Sequence, residues 1–179
     1  MRVRRREEFS EGELRDLKRW LEDAFGEGPW RAEFWSELGP GPHFLIEDDD
    51  GDLLAHACIA SVPVTVGETP LDAGYLEVVA TRADVRGGGL GSAVVEAASR
   101  MISEENEIGF LGTGSFAFYE RLGWVRWKGP SAVTERDGST TPTPEDDENI
   151  MALFVPRTPS SVSVTDPIVR PRRDPDEAW

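Results

Sequence analysis

The sequence predicts an α/β (α+β) fold in which a mixed, largely antiparallel sheet is flanked by helices. Hydrophobic periodicities typical of helices and of strands follow one another along the chain, and a glycine-rich turn joins one strand to one helix. The length of 179 residues suits one domain and is too short for two domains of ordinary size. We therefore predict a single domain over residues 1–179.

The N-terminal half alternates between helical and extended patterns. A short basic strand over 2–6 precedes a capping-box sequence at Ser10, which opens an amphipathic helix over 11–25. A second short helix is predicted over 30–38, between two groups of glycine and proline. Three strands then follow, separated by turn-forming residues: 43–47, 53–66 and 74–81.

The C-terminal half begins with a helix whose apolar face starts at Leu90. Shorter elements follow it: a strand over 108–111, a helix over 115–121 and strands over 124–127 and 150–155. Residues 134–149 are polar and acidic, which predicts a loop between two strands. The tail from Arg157 is rich in serine, threonine, proline and charge, and its composition alone predicts disorder.

The net charge of −15 argues against a nucleic-acid partner and against an anionic membrane surface, and it permits a cationic small molecule. An acidic proteome or plain solubility would account for the same charge. No apolar run approaches the ~18 residues of a membrane helix, and no secretory signal is apparent, so a cytoplasmic location is expected.

Two residue types that often carry chemistry are assigned none in this sequence. Cys58 is the only cysteine, which excludes an intramolecular disulfide, and its apolar neighbours predict a buried, inert thiol. His43 and His56 lie in strand-like segments and are given no role, and no metal site is predicted.

The turn between the strand at 74–81 and the following helix has the features of a phosphate-binding site. Consecutive glycines permit positive φ and a close approach of the backbone to a ligand, and successive N–H groups can point into one concavity. The helix N-terminus adds free donors and partial positive charge, and Arg86 adds a permanent cation. The alternative is a flexible glycine turn. The predicted pyrophosphate cradle comprises Arg86, Gly87, Gly88, Gly89, Leu90, Gly91 and Ser92.

Two better-known phosphate loops fit this turn poorly. A P-loop ends in Gly-Lys-Ser/Thr, whereas Gly91 is followed by Ser92 and Ala93. The dinucleotide fingerprint, counted from Gly87, would need glycine where Ser92 stands and an acidic residue after a second parallel strand. Neither a nucleoside triphosphate nor a dinucleotide is therefore predicted.

Two motifs in the chain resemble those of the GNAT superfamily of acetyltransferases. Arg-x-x-Gly-x-Gly after a strand, carried by Arg86, Gly89 and Gly91, resembles the coenzyme A motif of that superfamily. Downstream, the segment 118–124 (FYERLGW) resembles its Phe-Tyr-x-x-x-Gly-Phe/Trp element. The resemblance implies acetyl-CoA as cofactor, bound by the cradle and by backbone groups of Val79 and Thr81 beside a bulge in the strand.

Acetyl transfer to an amine requires a base for the amine proton, a donor for the developing oxyanion and an acid for the leaving thiolate. The resemblance implies that Tyr119 is the acid, and Glu77, a carboxylate in an apolar strand, is the candidate base. The backbone N–H of Val79 is the natural oxyanion donor. The alternatives are an aromatic core residue for Tyr119 and an ordinary surface acid for Glu77.

A narrower resemblance, over nearly the whole chain, is to the aminoglycoside 2′-N-acetyltransferases. It is carried by GYLEVVA at 74–80, GW at 123–124, WKGPS at 127–131, TPEDD at 143–147 and the closing DEAW at 176–179. The resemblance implies that the tail over 157–179 folds back and that the carboxylate of Trp179 lines the acceptor pocket. That implication overrides the disorder expected from composition.

The acceptor implied by this resemblance is a polycationic aminoglycoside, and the implied activity is one associated with antibiotic resistance. Carboxylates around a polar floor would suit such a ligand. Two residues depart from the family: Val78 stands where it has glycine, and Phe34 stands opposite a family acid, with Glu33 the nearby acid in this chain. The expected acceptor-facing residues are Glu77, Val78, Glu33, Gly112, Thr113, Asp147, Glu177 and Trp179.

Other functions stay open at this stage. The acceptor could be another amine, such as a polyamine, another amino sugar or a protein N-terminus. A non-catalytic acetyl-CoA-binding module needs only the glycine turn, whereas this chain also carries Tyr119 and Glu77. Homodimers are common among relatives, and the sequence itself shows no interface.

Overall fold

The computed structural model describes residues 2–25, 41–173 and 179. The helix predicted over 30–38 lies outside the described residues. The chain groups into two compact units, the first formed by Met1–Ala60 with Leu76–Ala98 and the second by Ser61–Tyr75 with Ser99–Trp179.

In its described residues, the first unit combines two helices with an antiparallel group of strands. Its elements are β1 (Arg4–Arg6), α1 (Glu11–Phe25), β2 (His43–Glu47), the first part of β3 (Leu53–Val66), the last part of β4 (Thr69–Thr81), a 3-10 turn (Ala83–Val85) and the start of α2 (Leu90–Glu105). Strand β2 pairs antiparallel with both β1 and β3. The predicted bounds of α1, β2 and β3 are confirmed.

Helix α1 begins at the predicted capping box. The Ser10 amide donates to Glu13 Oε2 at 2.8 Å, and the Glu13 amide donates back to Ser10 Oγ at 3.3 Å. The bond from the Ser10 amide, helped by bonds from Arg6 and from Ser10 Oγ to the same carboxylate, lowers the pKa of Glu13 to about 2. The apolar face of α1 then buries Leu17 and Leu21 against the sheet.

Two buried histidines lie on one face of the β2–β3 hairpin. His43 pairs with Cys58 across the hairpin and Leu45 pairs with His56, so the two imidazoles share one face with the buried Cys58 thiol. Both histidines are fully buried. Burial, assisted by the neighbouring His43, lowers the pKa of His56 to about 3, although its bond to the Val78 carbonyl opposes this shift.

We expect His56 to make the fold sensitive to mild acid. The folded chain keeps His56 neutral down to about pH 3, whereas the unfolded chain binds this proton below an ordinary pKa of 6.5. The stabilising contribution is therefore complete above that value and is lost as pH falls towards 3. The free energy of unfolding should fall by up to ~1.4 kcal/mol per pH unit for this proton.

Urea unfolding at about pH 7 and about pH 5 measures this dependence. His56→Asn cannot take up the proton, so the slope of unfolding free energy against pH should decrease by one proton in that variant. An unchanged slope would show that another group is responsible.

The second unit is built on a mixed sheet. It contains the remaining parts of β3 and β4 together with β5 (Ile108–Gly112), α3 (Phe116–Glu120), β6 (Val125–Arg126), β7 (Ser131–Thr134), β8 (Thr140–Pro142), β9 (Ile150–Phe154) and β10 (Ile168–Pro171). The strand order is β6-β9-β5-β4-β3-β10-β7-β8. Strands β4 with β5 and β10 with β7 pair in parallel, and the other registered pairs are antiparallel. The predicted mixed, largely antiparallel sheet is confirmed.

Three strand predictions need correction. Strand β4 begins at Thr69 rather than at 74, because the turn after β3 needs only two residues and Gly67 supplies its positive φ of 60°. Strand β8 lies inside the predicted loop 134–149. The tail contains β10, so composition misled there: Ile168 is fully buried, and its strand pairs with both β3 and β7.

None of the helices in the described part of the chain is long and apolar enough to span a membrane.

Candidate active site

Strand β4 contains a strained residue near its C-terminal end. Val78 has φ of 51°, and among the described residues it is the only non-glycine residue with positive φ. A β-branched side chain in this region costs about 1–2 kcal/mol, so the surrounding structure must hold it there. Registered pairing of β4 with β5 ends at Tyr75 and Phe110. Residues 77–79, centred on the positive φ of Val78, follow that ladder along β4 and are called the bulge below.

Side chains of β3 contact the two carbonyl oxygens of the bulge. His56 Nδ1 lies 2.9 Å from the Val78 oxygen, and Cys58 Sγ lies 3.5 Å from the Glu77 oxygen. Because a carbonyl only accepts, both side chains donate. These contacts are missed by reasoning from the sequence, which gives His56 and Cys58 no role.

Glu77 and Val79 flank Val78 on the bulge. Both are partly buried, and the Oε2 atom of Glu77 is shielded from solvent. A carboxylate at a partly buried position is suited to take a proton from a cationic partner. Thr81, the last residue of β4, uses its carbonyl to accept a bond from Arg86 Nε at 3.1 Å.

The predicted cradle follows directly after this bond. Gly87 and Gly89 have φ of 83° and 82°, which explains the need for glycine, and a Cβ at either position would meet no atom within 4 Å. The turn is exposed, and the Ala93 amide donates to the Gly89 oxygen at 3.0 Å as α2 begins. The turn therefore offers open space beside a helix N-terminus, as a pyrophosphate requires.

Gly89→Val should weaken coenzyme binding. The valine side chain would occupy the open space of the cradle, and valine would be strained at the positive φ of position 89. We therefore expect the KM for acetyl-CoA to rise roughly tenfold or more, equivalent to about 1.4 kcal/mol. Steady-state kinetics with varied acetyl-CoA measures it.

Gly138→Val is the matched control. Gly138 has φ of 85° and equally open surroundings, but it lies in the turn between β7 and β8. The two variants should lose similar stability, and only the first should change KM. Equal KM values would remove the turn from coenzyme binding.

In the second unit, Tyr119 lies in the short helix α3 and is 8% exposed. Its backbone oxygen accepts from the amides of Leu122 and Trp124 at 2.9 and 3.2 Å, and Gly123, with φ of 90°, allows that reversal. Burial raises the pKa of Tyr119 to about 12. The phenol therefore keeps its proton at neutral pH, as a donor must.

Gly112 is the last residue of β5 and Thr113 follows it, and their surroundings differ. A Cβ at Gly112 would lie 3.3 Å from Tyr75 Oη and 3.4 Å from the Trp179 backbone oxygen, so these three residues are brought together. Thr113 is a turn residue: its amide donates to the Asn149 oxygen at 2.8 Å, and its Oγ1 accepts from the Ser115 amide at 2.9 Å.

Trp179 is buried against aromatic and cationic neighbours. The residue is 6% exposed. Its ring lies 6.0 Å from the Phe110 ring, and the Arg170 guanidinium lies 5.1 Å from the Trp179 ring and 4.7 Å from the Tyr75 ring. Residue 179 thus packs onto the second unit. Arg170 and Tyr75 are missed by reasoning from the sequence, since Arg170 lies in no motif and Tyr75, within the 74–80 segment, is given no role.

Asp147 hydrogen-bonds the acidic loop to Ser131 at the start of β7. Its Oδ1 accepts from the Ser131 amide at 2.7 Å and lies 2.6 Å from Ser131 Oγ. The adjacent Asp146 differs, because burial and then Glu145 raise its pKa, with Arg170 opposing. A carboxylate whose charge is disfavoured in this way would gain from a cationic ligand.

The predicted site residues divide between the two units. The bulge residues, Thr81 and the cradle belong to the first unit, and Gly112, Thr113, Tyr119, Asp147 and Trp179 belong to the second. Glu33 and Glu177 lie outside the described residues.

Comparisons with known proteins identify the family. Residues 5–126 match the family model "Acetyltransferase (GNAT) domain". The chain is 36% identical over 140 residues to the aminoglycoside 2′-N-acetyltransferase of Mycolicibacterium fortuitum, covering 77% of this chain and 70% of that protein.

Two solved structures show the same fold. A GNAT family N-acetyltransferase from Escherichia coli, in complex with CoA, has a TM-score of 0.68 at 17% identity and covers 95% of this chain and 90% of its own. A probable N-acyltransferase from Enterococcus faecalis V583 has a TM-score of 0.59 at 17% identity, and the match covers 71% of this chain but only 33% of that longer protein.

These matches confirm the resemblance found in the sequence and the predicted acetyl-CoA-dependent N-acetyltransferase activity. The chain belongs to the GNAT family of acetyltransferases.

Proposed function

We propose that this enzyme transfers the acetyl group of acetyl-CoA to an amino group of an aminoglycoside, at the 2′-amine. The observation that carries the proposal is the similarity to the aminoglycoside 2′-N-acetyltransferase of M. fortuitum. The net charge of −15 also favours a polycationic acceptor by electrostatic attraction.

The residues present suit the coenzyme. Open space at Gly87 and Gly89 would admit phosphate oxygens against the turn, and Arg86 and the first amides of α2 would hold their charge. Backbone groups of Val79 and Thr81 would hold the pantetheine arm. When bound, acetyl-CoA supplies an acetyl group activated as a thioester.

Each proposed catalytic residue has one task. Glu77 accepts a proton from the ammonium group, through water, so that the amine can attack the acetyl carbon. The Val79 amide donates to the acetyl oxygen as negative charge develops there. The C–N bond forms while the C–S bond breaks, and Tyr119 donates a hydrogen bond to the leaving sulfur. The nitrogen then loses its second proton to solvent, and the thiolate gains one proton to become the thiol.

The pKa of Tyr119 defines how it can act. A thiol has an ordinary pKa of about 8.5, so it is a stronger acid than a phenol whose pKa burial has raised to about 12. Tyr119 therefore stabilises the leaving sulfur chiefly as a hydrogen-bond donor, and solvent can complete the protonation of the thiol.

The acceptor side of the proposal rests on acidic and polar groups. Glu77, Val78, Gly112, Thr113, Asp147 and Trp179 are proposed to face the aminoglycoside, together with Glu33 and Glu177. The structure suggests two additions, Asp146 with its raised pKa and Tyr75 beside Gly112. Asp147 would act by holding this loop, since Ser131 already occupies its Oδ1.

The deciding experiment measures thiol release from acetyl-CoA with paired acceptors. Each pair shares an aminoglycoside scaffold and differs only in carrying a 2′-amine or a 2′-hydroxyl, and a polyamine is included. Turnover restricted to the 2′-amino members supports the proposal. Turnover of the polyamine with none of the 2′-amino compounds would replace it with the alternative of another amine.

The proposal extends to biological setting. Expression in a susceptible host should raise tolerance to 2′-amino aminoglycosides and leave tolerance to their 2′-hydroxyl partners unchanged, as a resistance enzyme would. We propose a cytoplasmic location, which suits a chain whose single cysteine forms no intramolecular disulfide. A homodimer stays a prediction, to be measured by sedimentation.

A further inference from the structure

A chain of buried hydrogen bonds runs beneath the Val78 bulge. His43 Nδ1 lies 2.9 Å from His56 Nε2, and His56 Nδ1 lies 2.9 Å from the Val78 oxygen. Both imidazoles are 0% exposed. These two hydrogen bonds connect β2, β3 and β4 through imidazole side chains. Neither imidazole takes part in the acetyl transfer proposed for this enzyme.

The direction of these bonds follows from the acceptor at one end. The Val78 carbonyl can only accept, so His56 carries its proton on Nδ1 and leaves Nε2 as an acceptor. His43 Nδ1–H then donates to that nitrogen. One tautomer of His56 is therefore selected, and its two ring nitrogens are both engaged.

We propose that His56, oriented by His43, is a positioning residue that holds Val78 at its strained φ and thereby aims the Glu77 carboxylate and the Val79 amide. This inference rests on the proposed function for the reaction that it serves. His56 touches neither acetyl-CoA nor the acceptor in this scheme.

This support is needed because residue 78 is a valine. Glycine would adopt a φ of 51° without strain, whereas a β-branched residue tends to relax to an extended conformation. Relaxation would turn the peptide groups on either side of Val78 and move Glu77 and Val79 with them. A directional bond to the Val78 oxygen opposes that movement.

Metal binding is the alternative role for the same side chains. The ligand atoms of His43, His56 and Cys58 all lie within 4.8 Å of one another. Ligation through His56 Nε2 would displace His43 from its hydrogen bond. Elemental analysis of the native protein separates the two uses, because one equivalent of tightly held zinc would overturn the proposal.

Nitrogen NMR on the wild-type enzyme tests the bond directly. The chain has only two histidines, so their ring nitrogens are readily assigned. We expect His56 to be protonated at Nδ1 and bare at Nε2, with His43 protonated at Nδ1. A proton on Nε2 of His56, with Nδ1 bare, would overturn the proposal without reference to any acceptor.

A double-mutant cycle tests the consequence for catalysis. Because a misplacement of 1 Å can lower rates ~10²-fold, His56→Leu should lower kcat at least ~10-fold, with a smaller change in KM for acetyl-CoA. In a Val78→Gly background the same change should lower kcat at most ~3-fold, since glycine keeps the bulge without support. Equal losses in both backgrounds would overturn the proposal.

Two further variants keep the test decisive. His56→Asn retains a donor near the position of Nδ1 and should recover part of the lost kcat; if His56→Leu does not fold, the cycle is run with this variant and with His43→Leu. Leu45→Ala, at the cross-strand partner of His56, should lower the melting temperature by leaving a cavity in the core and should leave kcat unchanged when assayed well below that temperature.

The experiments distinguish failure of the proposed function from failure of the positioning role of His56. If the wild type acetylates no aminoglycoside, the acceptor is wrong, whereas the tautomer of His56 in the wild type and the change in the Val79 amide shift in His56→Leu still report on the bulge. An unchanged Val79 amide shift would count against the positioning role whatever the acceptor.

Discussion

Glu77→Gln is expected to lower kcat/KM for the acceptor amine at least ~100-fold at neutral pH, within the usual range for loss of a general base. The amide is nearly isosteric but cannot take a proton. Because Glu77 lies on the bulge with Oε2 shielded from solvent, a replacement base from bulk water is poorly placed. The loss should be largest at low pH and should shrink as the amine loses its own proton at high pH.

A pH–rate profile of both enzymes measures this difference. Glu68→Gln provides the matched control, since it removes the same charge from the exposed turn between β3 and β4. That variant should retain the parent profile. Parallel profiles for Glu77→Gln and the wild type would exclude Glu77 as the base and leave it, at most, a binding anion.

Tyr119→Phe is expected to lower kcat at least ~10-fold and to change the KM for acetyl-CoA little. The substitution removes one hydroxyl from a buried ring and preserves the ring contact with Trp124, centred 6.3 Å away. The protonated phenol is the active form, so its contribution persists below its pKa of about 12 and is lost only as pH rises through that value.

The alkaline limb of the wild-type profile therefore makes a second test of Tyr119. Activity should not decline up to about pH 10, where an unperturbed tyrosine would already be half ionised. A decline that begins near pH 9 and disappears in Tyr119→Phe would contradict the buried, protonated phenol. An unchanged kcat in the variant would remove Tyr119 from the mechanism.

Local sequence signals were sufficient for most of the fold. Ser10 and Glu13 specify the start of α1, and glycines at 87 and 89 have the positive φ that their placement after β4 predicts. Composition failed for β10 because Ile168 and Val169 are too few to offset the polar residues around them. Their burial depends on strands far away in sequence, which a local average does not contain.

The support beneath the bulge could not be predicted for a different reason. Valine favours extended structure, so no local signal at Val78 indicates a φ of 51°. The only hint was the departure from the glycine of the relatives. His43 and His56 are 13 positions apart, and their contact depends on the register of the β2–β3 hairpin, which places His56 opposite Leu45.

The position of β10 has a consequence for how the second unit assembles. Among the described strands, the hairpin of β7 and β8 pairs with the rest of the sheet only through β10, which itself pairs Ile168 with Val66, about a hundred residues earlier. Local contacts can form the hairpin early, but its attachment must wait for the most distant pairing in the unit. We therefore expect refolding in which β7 and β8 gain hydrogen-exchange protection late, in the same kinetic phase as Ile168 and Val169.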